Sequence, residues 1–318
     1  MSEKLRMAQY GTKHGHAQGV LQVMLNHPGV EVVGVYEPDS ARQKQVEGSG
    51  DGAWGKVRFV DNPSEFLDDP TVVAVSSDGS NRESLVFTEQ IVAAEKHVFY
   101  DKPAGDDYER FEHVVEQARR QNTLLQMGYM FRKHDGFERI TAWARSGFLG
   151  HIFQIRAHMS TWIPEQNPEG IFTGREGLAH HEGGVMYDLG GHVLDQVVWI
   201  LGRPSRVTGF LQHATSETPG MMDNTLGVFE YDNAIATVDI TAMEPRPMAR
   251  RFEVYGTKGS AIMEPFEPAD TVRLVLENDQ GEYKKGVNTI KIEDRPRYVG
   301  TFAEFVRNIR GESEPLRS

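Results

Sequence analysis

The stretch Arg6-Met7-Ala8-Gln9-Tyr10-Gly11-Thr12-Lys13-His14-Gly15-His16-Ala17 reads as a short strand, a glycine turn and the start of a helix. The alternation in its strand is weak, but its surroundings are not. Residues 15–26 have helical spacing and end at His27-Pro28-Gly29, and Glu31-Val32-Val33-Gly34-Val35-Tyr36 is a clear strand. Outward from there the alternation continues for ~125 residues. Strands are expected at 58–60, 72–76, 97–100 and 124–127, and helices at 82–95 and 108–121. Six strands with intervening helices predict a doubly wound parallel sheet of the kind that binds dinucleotides.

A dinucleotide fingerprint would read Gly-x-Gly-x-x-Gly across the first turn. Gly11 fits; Lys13 and His16 stand at the second and third glycine positions. The second glycine lets the backbone approach a pyrophosphate, and the third lets helix and strand pack closely. Helix N-termini attract anions whatever their side chains, and Lys13, His14 and His16 add positive charge. A glycine turn with no ligand is the competing reading. Glu37 ends the second strand, where an acid can accept from a ribose 2′-OH and repel a 2′-phosphate, which favours NAD over NADP. Asp39 or Ser40 is the better cap for the next helix, leaving Glu37 for the ribose. Lys102 follows the strand at 97–100, on the edge of the sheet where ligands bind. There it can stabilise developing alkoxide charge, although most lysines are merely solvated.

After Met127 the character changes. A helix is expected at 135–146, ended by Gly147. Strands follow at 151–162, 206–215, 226–231 and 234–243, with hairpin turns at Tyr231-Asp232-Asn233-Ala234 and Gly256-Thr257-Lys258-Gly259. Thr301 to Arg310 reads as a closing helix. A mainly antiparallel sheet with one open face fits the strands, and apolar residues on more than one face between Arg206 and Val275 predict a homo-oligomer, dimer or tetramer. The chain divides into residues 1–127 and residues 128–318.

One helix interrupts those strands: Gly184-Val185-Met186-Tyr187-Asp188-Leu189-Gly190-Gly191-His192-Val193-Leu194-Asp195. As a regular helix it puts Asp188, His192 and Asp195 on one face. A carboxylate beside an imidazole is a common way to set a base that works near pH 7; a cap and a solvated face are the plain alternative. His180-His181-Glu182 precedes it. With Asp188 and His192 these could be metal ligands, but they follow no recognised ligand spacing, and no metal is expected. Arg132, His158 and Trp162 are candidates for a substrate wall, as they are for sheet or core positions.

Net charge is −12, which argues against nucleic-acid backbones and anionic membranes. There is no spanning apolar run and no signal-peptide pattern. Cysteine is absent, so disulfides, thiolate metal sites and cysteine nucleophiles are excluded. A cytoplasmic enzyme fits these features.

Together these features resemble the glucose–fructose oxidoreductase / inositol dehydrogenase / rhizopine-catabolism (Gfo/Idh/MocA) family. The resemblance is carried by Ser80-Asn81, Glu95-Lys96-His97-Val98, Asp101-Lys102-Pro103, the segment from Gly183-Gly184 to Asp195, and Tyr255-Gly256-Thr257-Lys258-Gly259-Ser260. It implies an N-terminal Rossmann domain and a C-terminal α/β domain with a large open-faced sheet, often the oligomer interface. It also implies hydride transfer between NAD, less readily NADP, and a sugar, cyclitol or related polyol. Lys102, Asp188 and His192 would be catalytic, with His192 as base. Gly11, Thr12, Lys13, His14, Glu37, Ser77, Asn81, Asp101 and Lys102 would hold the cofactor. Arg132, Trp162, His180, His181 and Asp188 would face substrate. The alternatives are a redox-assisted glycosidase or lyase that keeps its NAD, and a non-catalytic nucleotide or sugar binder. Two departures stand out: the degraded glycine motif, and Asp101 in place of the family's Glu.

Overall fold

The computed structural model describes residues 3–50, 52–162, 181–214 and 220–314. It divides into two compact units, Met1–Met130 with Pro296–Arg317, and Phe131–Arg295. The change of unit falls close to the expected boundary at 127/128. The closing helix, which that boundary assigns to the second half, packs on the first unit.

In the first unit, β1 (Leu5–Tyr10), α1 (Ala17–Asn26), β2 (Val30–Tyr36), α2 (Ser40–Ser49), α3 (Ser64–Leu67), β3 (Val72–Ser77), α4 (Ser84–Ala93), β4 (His97–Tyr100), α5 (Tyr108–Gln121) and β5 (Leu125–Met127) follow in order. The strands form one parallel sheet, β2-β1-β3-β4-β5. It has five strands, one fewer than expected. Residues 58–60 make only a parallel bridge, Val35 to Phe59, because Asp61-Asn62-Pro63 turns the chain away after one pair. Capping follows side-chain chemistry. Asp39 accepts from the Ala41 and Arg42 N–H groups at α2, and Asp107 accepts from Arg110 N at α5. Strands β1, β3 and β4 are buried nearly throughout, and Tyr10 stacks on Phe87 at 4.3 Å. The closing helix, Val299–Ile309, sets Phe302 and Phe305 against Phe99 at 5.6 and 5.5 Å. Gln126 Nε2 donates to the Thr301 carbonyl beside it.

In the second unit, α6 (Asp135–Arg145) and β6 (Ile152–Ser160) come first. A π-helical turn (Met186–Gly190) then runs into α7 (Gly191–Leu201). Seven strands follow: β7 (Arg206–Gln212), β8 (Asn224–Tyr231), β9 (Ala234–Thr241), β10 (Arg251–Gly256), β11 (Gly259–Met263), β12 (Thr271–Leu276) and β13 (Gly286–Lys291). The eight-stranded sheet is ordered β13-β12-β11-β10-β6-β9-β8-β7, and β6–β9 is its parallel pair. Both expected hairpins are present, pairing Tyr231 with Ala234 and Tyr255 with Ser260. Period-two alternation sorts the faces. Ile155, Ala157, Met159, Val238, Ile240, Phe252 and Val254 are buried on the side that α6 and α7 cover. Arg156, His158, Asp239 and Glu253 lie on the other side, at least partly exposed. Among the described residues no helix is long and apolar enough to cross a membrane.

The π turn changes the reading of the motif helix. It inserts an extra residue into the turn that carries Asp188, so the regular spacing to His192 and Asp195 does not hold. Such insertions recur at functional sites. Gly184 before it, at a φ of +48°, makes the turn into it.

Candidate functional site

The turn after β1 is built around Gly11. Its φ is +91°, and a Cβ there would lie 2.6 Å from Gly79 N and 2.8 Å from the Asp78 carbonyl carbon. Both are backbone atoms that cannot yield, so glycine is required. The next residues break the fingerprint, yet each side chain is held by carboxylates. Lys13 Nζ reaches Glu83 at 2.9 Å and Asp39 at 3.1 Å. The His14 and His16 Nδ1 atoms both lie 3.0 Å from Asp101 Oδ2. The loop backbone therefore stays accessible. Among the described residues, the N–H groups of Lys13 and Gly15 have no protein acceptor. They lie ahead of a helix whose N-terminus carries partial positive charge. Two such N–H groups suit an anion; those of Gly11, Thr12 and His14, which the sequence also suggests, are taken by Tyr36, Glu37 and Asp78.

Asp101 is fully buried at the end of β4, and its Oδ1 accepts from Lys102 N at 2.8 Å. Burial alone would raise its carboxyl, but the two imidazoles outweigh burial and hold it far below the usual range. The histidines divide. Burial lowers both; for His14 the Asp101 charge and hydrogen bond overcome that and raise it, whereas His16 stays lowered. Asp78, just past β3, is also fully buried. Burial first, and the Asp101 charge second, push it up to about 8. Its Oδ2 accepts from Ser76 Oγ, and its Oδ1 has no partner among the described residues. Lys102 is buried beside this group, and its charge opposes protonation of both histidines. Sequence reasoning missed Asp78 and the pairing of His16. A buried acid at a strand end carries no local pattern that marks it.

Glu37 is not left open to a ribose. It is buried, and its Oε2 accepts from Thr12 N at 2.8 Å and Thr12 Oγ1 at 2.7 Å. Its Oε1 accepts from Asp39 N at 3.0 Å. The carboxylate thus holds the loop after β1 in shape. Arg42 completes the brace, donating to Thr12 Oγ1, the Thr12 carbonyl and Gln45. Glu37→Ala is therefore expected to weaken NAD and NADP alike, by about tenfold each, as two loop hydrogen bonds are lost. Titration of both nucleotides checks this; a variant that gains NADP while keeping its NAD affinity contradicts it. Ser77 is also turned inward, donating to the Ser84 carbonyl and accepting from Thr88. Asn81 lies in the turn before α4, half-buried.

In the second unit Asp188 lies in the π turn and His192 in the first turn of α7, both buried. The His192 ring sits 5.3 Å from the Phe131 ring. Asp195, the third member of the expected face, is bound by Arg132 through three contacts of 2.6 to 3.0 Å. Arg132, expected to face substrate, holds α7 instead, with its guanidinium also 5.1 Å over Trp199. His181 is buried and stacks on Tyr187 at 4.3 Å. His180 lies outside the described residues. Trp162 is 39% exposed and bridges Met243. His158 is held on the open sheet face by Asp239 at Nδ1 and by Glu244 at Nε2, 3.1 Å away. These acids raise its pKa, the Asp239 hydrogen bond most strongly.

Comparison with known proteins bears on both units. Residues 7–129 match the family described as "Oxidoreductase family, NAD-binding Rossmann fold". Residues 137–262 match "GFO/IDH/MocA C-terminal domain". Myo-inositol 2-dehydrogenase of Thermotoga maritima is 22% identical, over 83% of this chain and 77% of its own length. The 1,5-anhydro-D-fructose reductase of Ensifer adhaerens is 23% identical, over 81% and 75%. GenD2 from gentamicin A biosynthesis, solved in complex with NAD, superposes with a TM-score of 0.78 at 20% identity, covering 100% of this chain and 89% of that one.

Proposed function

We propose, from the premise that the chain belongs to the GFO/IDH/MocA family of oxidoreductases, that it transfers a hydride between NAD and a hydroxyl or carbonyl of a sugar, cyclitol or related polyol. The observation that carries the reading is the loop after β1. Each side chain that breaks the glycine fingerprint is held by a carboxylate, and the Lys13 and Gly15 backbone N–H groups remain for an anion. NAD over NADP is supported by the half-exposed carboxylate of Asp39 just past β2, which would repel a 2′-phosphate. The Arg42 nitrogens, which would otherwise suit a 2′-phosphate, donate to Thr12 and Gln45. The substrate class is supported by the names of the inositol dehydrogenase and anhydrofructose reductase relatives.

Bound NAD supplies the hydride acceptor. His192 takes the proton of the substrate hydroxyl as base. Asp188 holds substrate and base in place, and Lys102 donates to the reacting oxygen and stabilises its developing charge. These three roles rest on the motif resemblance. Burial of all three supports them, since fixed charges act more strongly where water is excluded. The test is NADH fluorescence with a panel of cyclitols, aldoses and anhydrosugars. Turnover on at least one of them is expected; NAD binding without turnover on any polyol would overturn the substrate class.

We also propose a homo-oligomer formed through the second unit's sheet. Phe210 and Ile235 stand exposed on the open face of the sheet, and Val207 and Leu211 on the opposite face of edge strand β7, all 44 to 55% exposed, apolar surface that a second copy would cover. Sedimentation at micromolar concentration is expected to give at least a dimer. A single species at the monomer mass contradicts it.

A further inference from the structure

We propose that His14, His16 and Asp101 form a divalent-cation site, of the class that takes zinc or cobalt, beneath the loop after β1. The three ligand atoms, two imidazole Nδ1 and one carboxylate Oδ2, lie within 4.8 Å of one another. Each Nδ1 is 3.0 Å from the same Oδ2. Ligands of a tetrahedral zinc ion, bonded at about 2.0–2.1 Å, stand about 3.3 Å apart. Each N–O pair therefore stands within a few tenths of an ångström of the separation that a bound ion would set, with all three atoms inside 4.8 Å. Two nitrogens and one carboxylate oxygen are a borderline set that suits zinc and its neighbours over magnesium or calcium. The His-x-His spacing brings both rings onto the one carboxylate oxygen. His16 keeps 26% of its side chain exposed, which leaves an approach for the ion and a position for water.

His14 Nδ1 accepts the His16 backbone N–H at 3.2 Å, so in that tautomer it carries the lone pair that an ion would take over from the N–H. Asp101, fully buried, supplies the negative charge, and buried Lys102 is the opposing charge. The ion would clamp β1 and α1 to the end of β4, fixing the loop where the fingerprint glycines are missing. These residues are distinct from the histidines ahead of the π turn, and the proposal stands apart from the oxidoreductase reading.

The test uses tag-free protein stripped with chelator, titrated with Co²⁺ and followed by its visible absorption. One Co²⁺ per chain with tetrahedral ligand-field bands is expected. In His16→Gln, folded by circular dichroism, the Kd should rise at least ~100-fold and the bands should fade. Wild-type protein that gives no such bands overturns the site. So do bands of unchanged intensity and affinity in both His16→Gln and His14→Gln, which place the metal on other histidines. Nucleotide titration of the same stripped protein separates the two proposals. NAD binding without a cobalt site sinks only the metal site, and a cobalt site without NAD or NADP binding sinks only the oxidoreductase reading.

Discussion

His192→Ala slows single-turnover NADH formation by roughly 10²–10⁴-fold, the range that removal of a general base costs. Lys102→Ala falls by a comparable factor, because an alkoxide left without its cation in a dry site loses several kcal/mol of stabilisation. The double variant is expected to be scarcely slower than either single one, as the proposed single step requires. NAD affinity should survive His192→Ala, because His192 belongs to the second unit and the pyrophosphate loop to the first. A His192→Ala enzyme that retains most of the wild-type rate would make the His192 imidazole structural. Its 5.3 Å contact with Phe131 would then be its role.

The second large effect is on stability. Asp78 is fully buried, and its pKa is pushed up to about 8 by burial and by Asp101. A folded-state pKa above the unfolded one gives stability that is fully present below pH ~4 and is lost as pH rises to about 8. The ceiling on that loss is on the order of 5 kcal/mol, from about four units at 1.36 kcal/mol each. Asp78→Asn keeps the shape and the Ser76 contact and removes the titration. The variant should therefore be more stable than wild type at pH 9 by a few kcal/mol, and the advantage should shrink toward pH 5. Urea unfolding of both proteins at the two pH values, with chelator present, measures it. Equal pH slopes would mean that Asp78 is ionised in the folded protein throughout.

Much of this was legible in the residues. The strand-helix alternation up to Met127 located the parallel sheet, because period and turn chemistry are local. The Tyr231–Ala234 and Gly256–Gly259 turns likewise announced their hairpins. The strand at 58–60 failed because the Asp61-Asn62-Pro63 turn carries the chain away after a single bridge to Val35. The closing helix could not be placed, since nothing local tells Phe302 and Phe305 that their partner is Phe99. The site candidates divide in the same way. Gly11, Lys102, Asp188 and His192 were visible as motif residues. Glu37 and Arg132 were recognised as important charges, but their partners were not. Thr12 lies 25 residues from Glu37, and Asp195 lies 63 from Arg132. The π turn was hidden because one inserted residue leaves hydrophobic periodicity almost unchanged while it re-aims everything after it. Asp101 in place of a longer acid read as a departure; the two histidines that converge on it give that departure its meaning.

The central claim is that the loop from Gly11 to His16 holds a dinucleotide despite its missing glycines. Calorimetric titration of purified, nucleotide-free protein with NAD and then NADP tests it most directly. The expected result is one saturable site per chain, tighter for NAD. Failure of both nucleotides to bind a folded, nucleotide-free chain would contradict it.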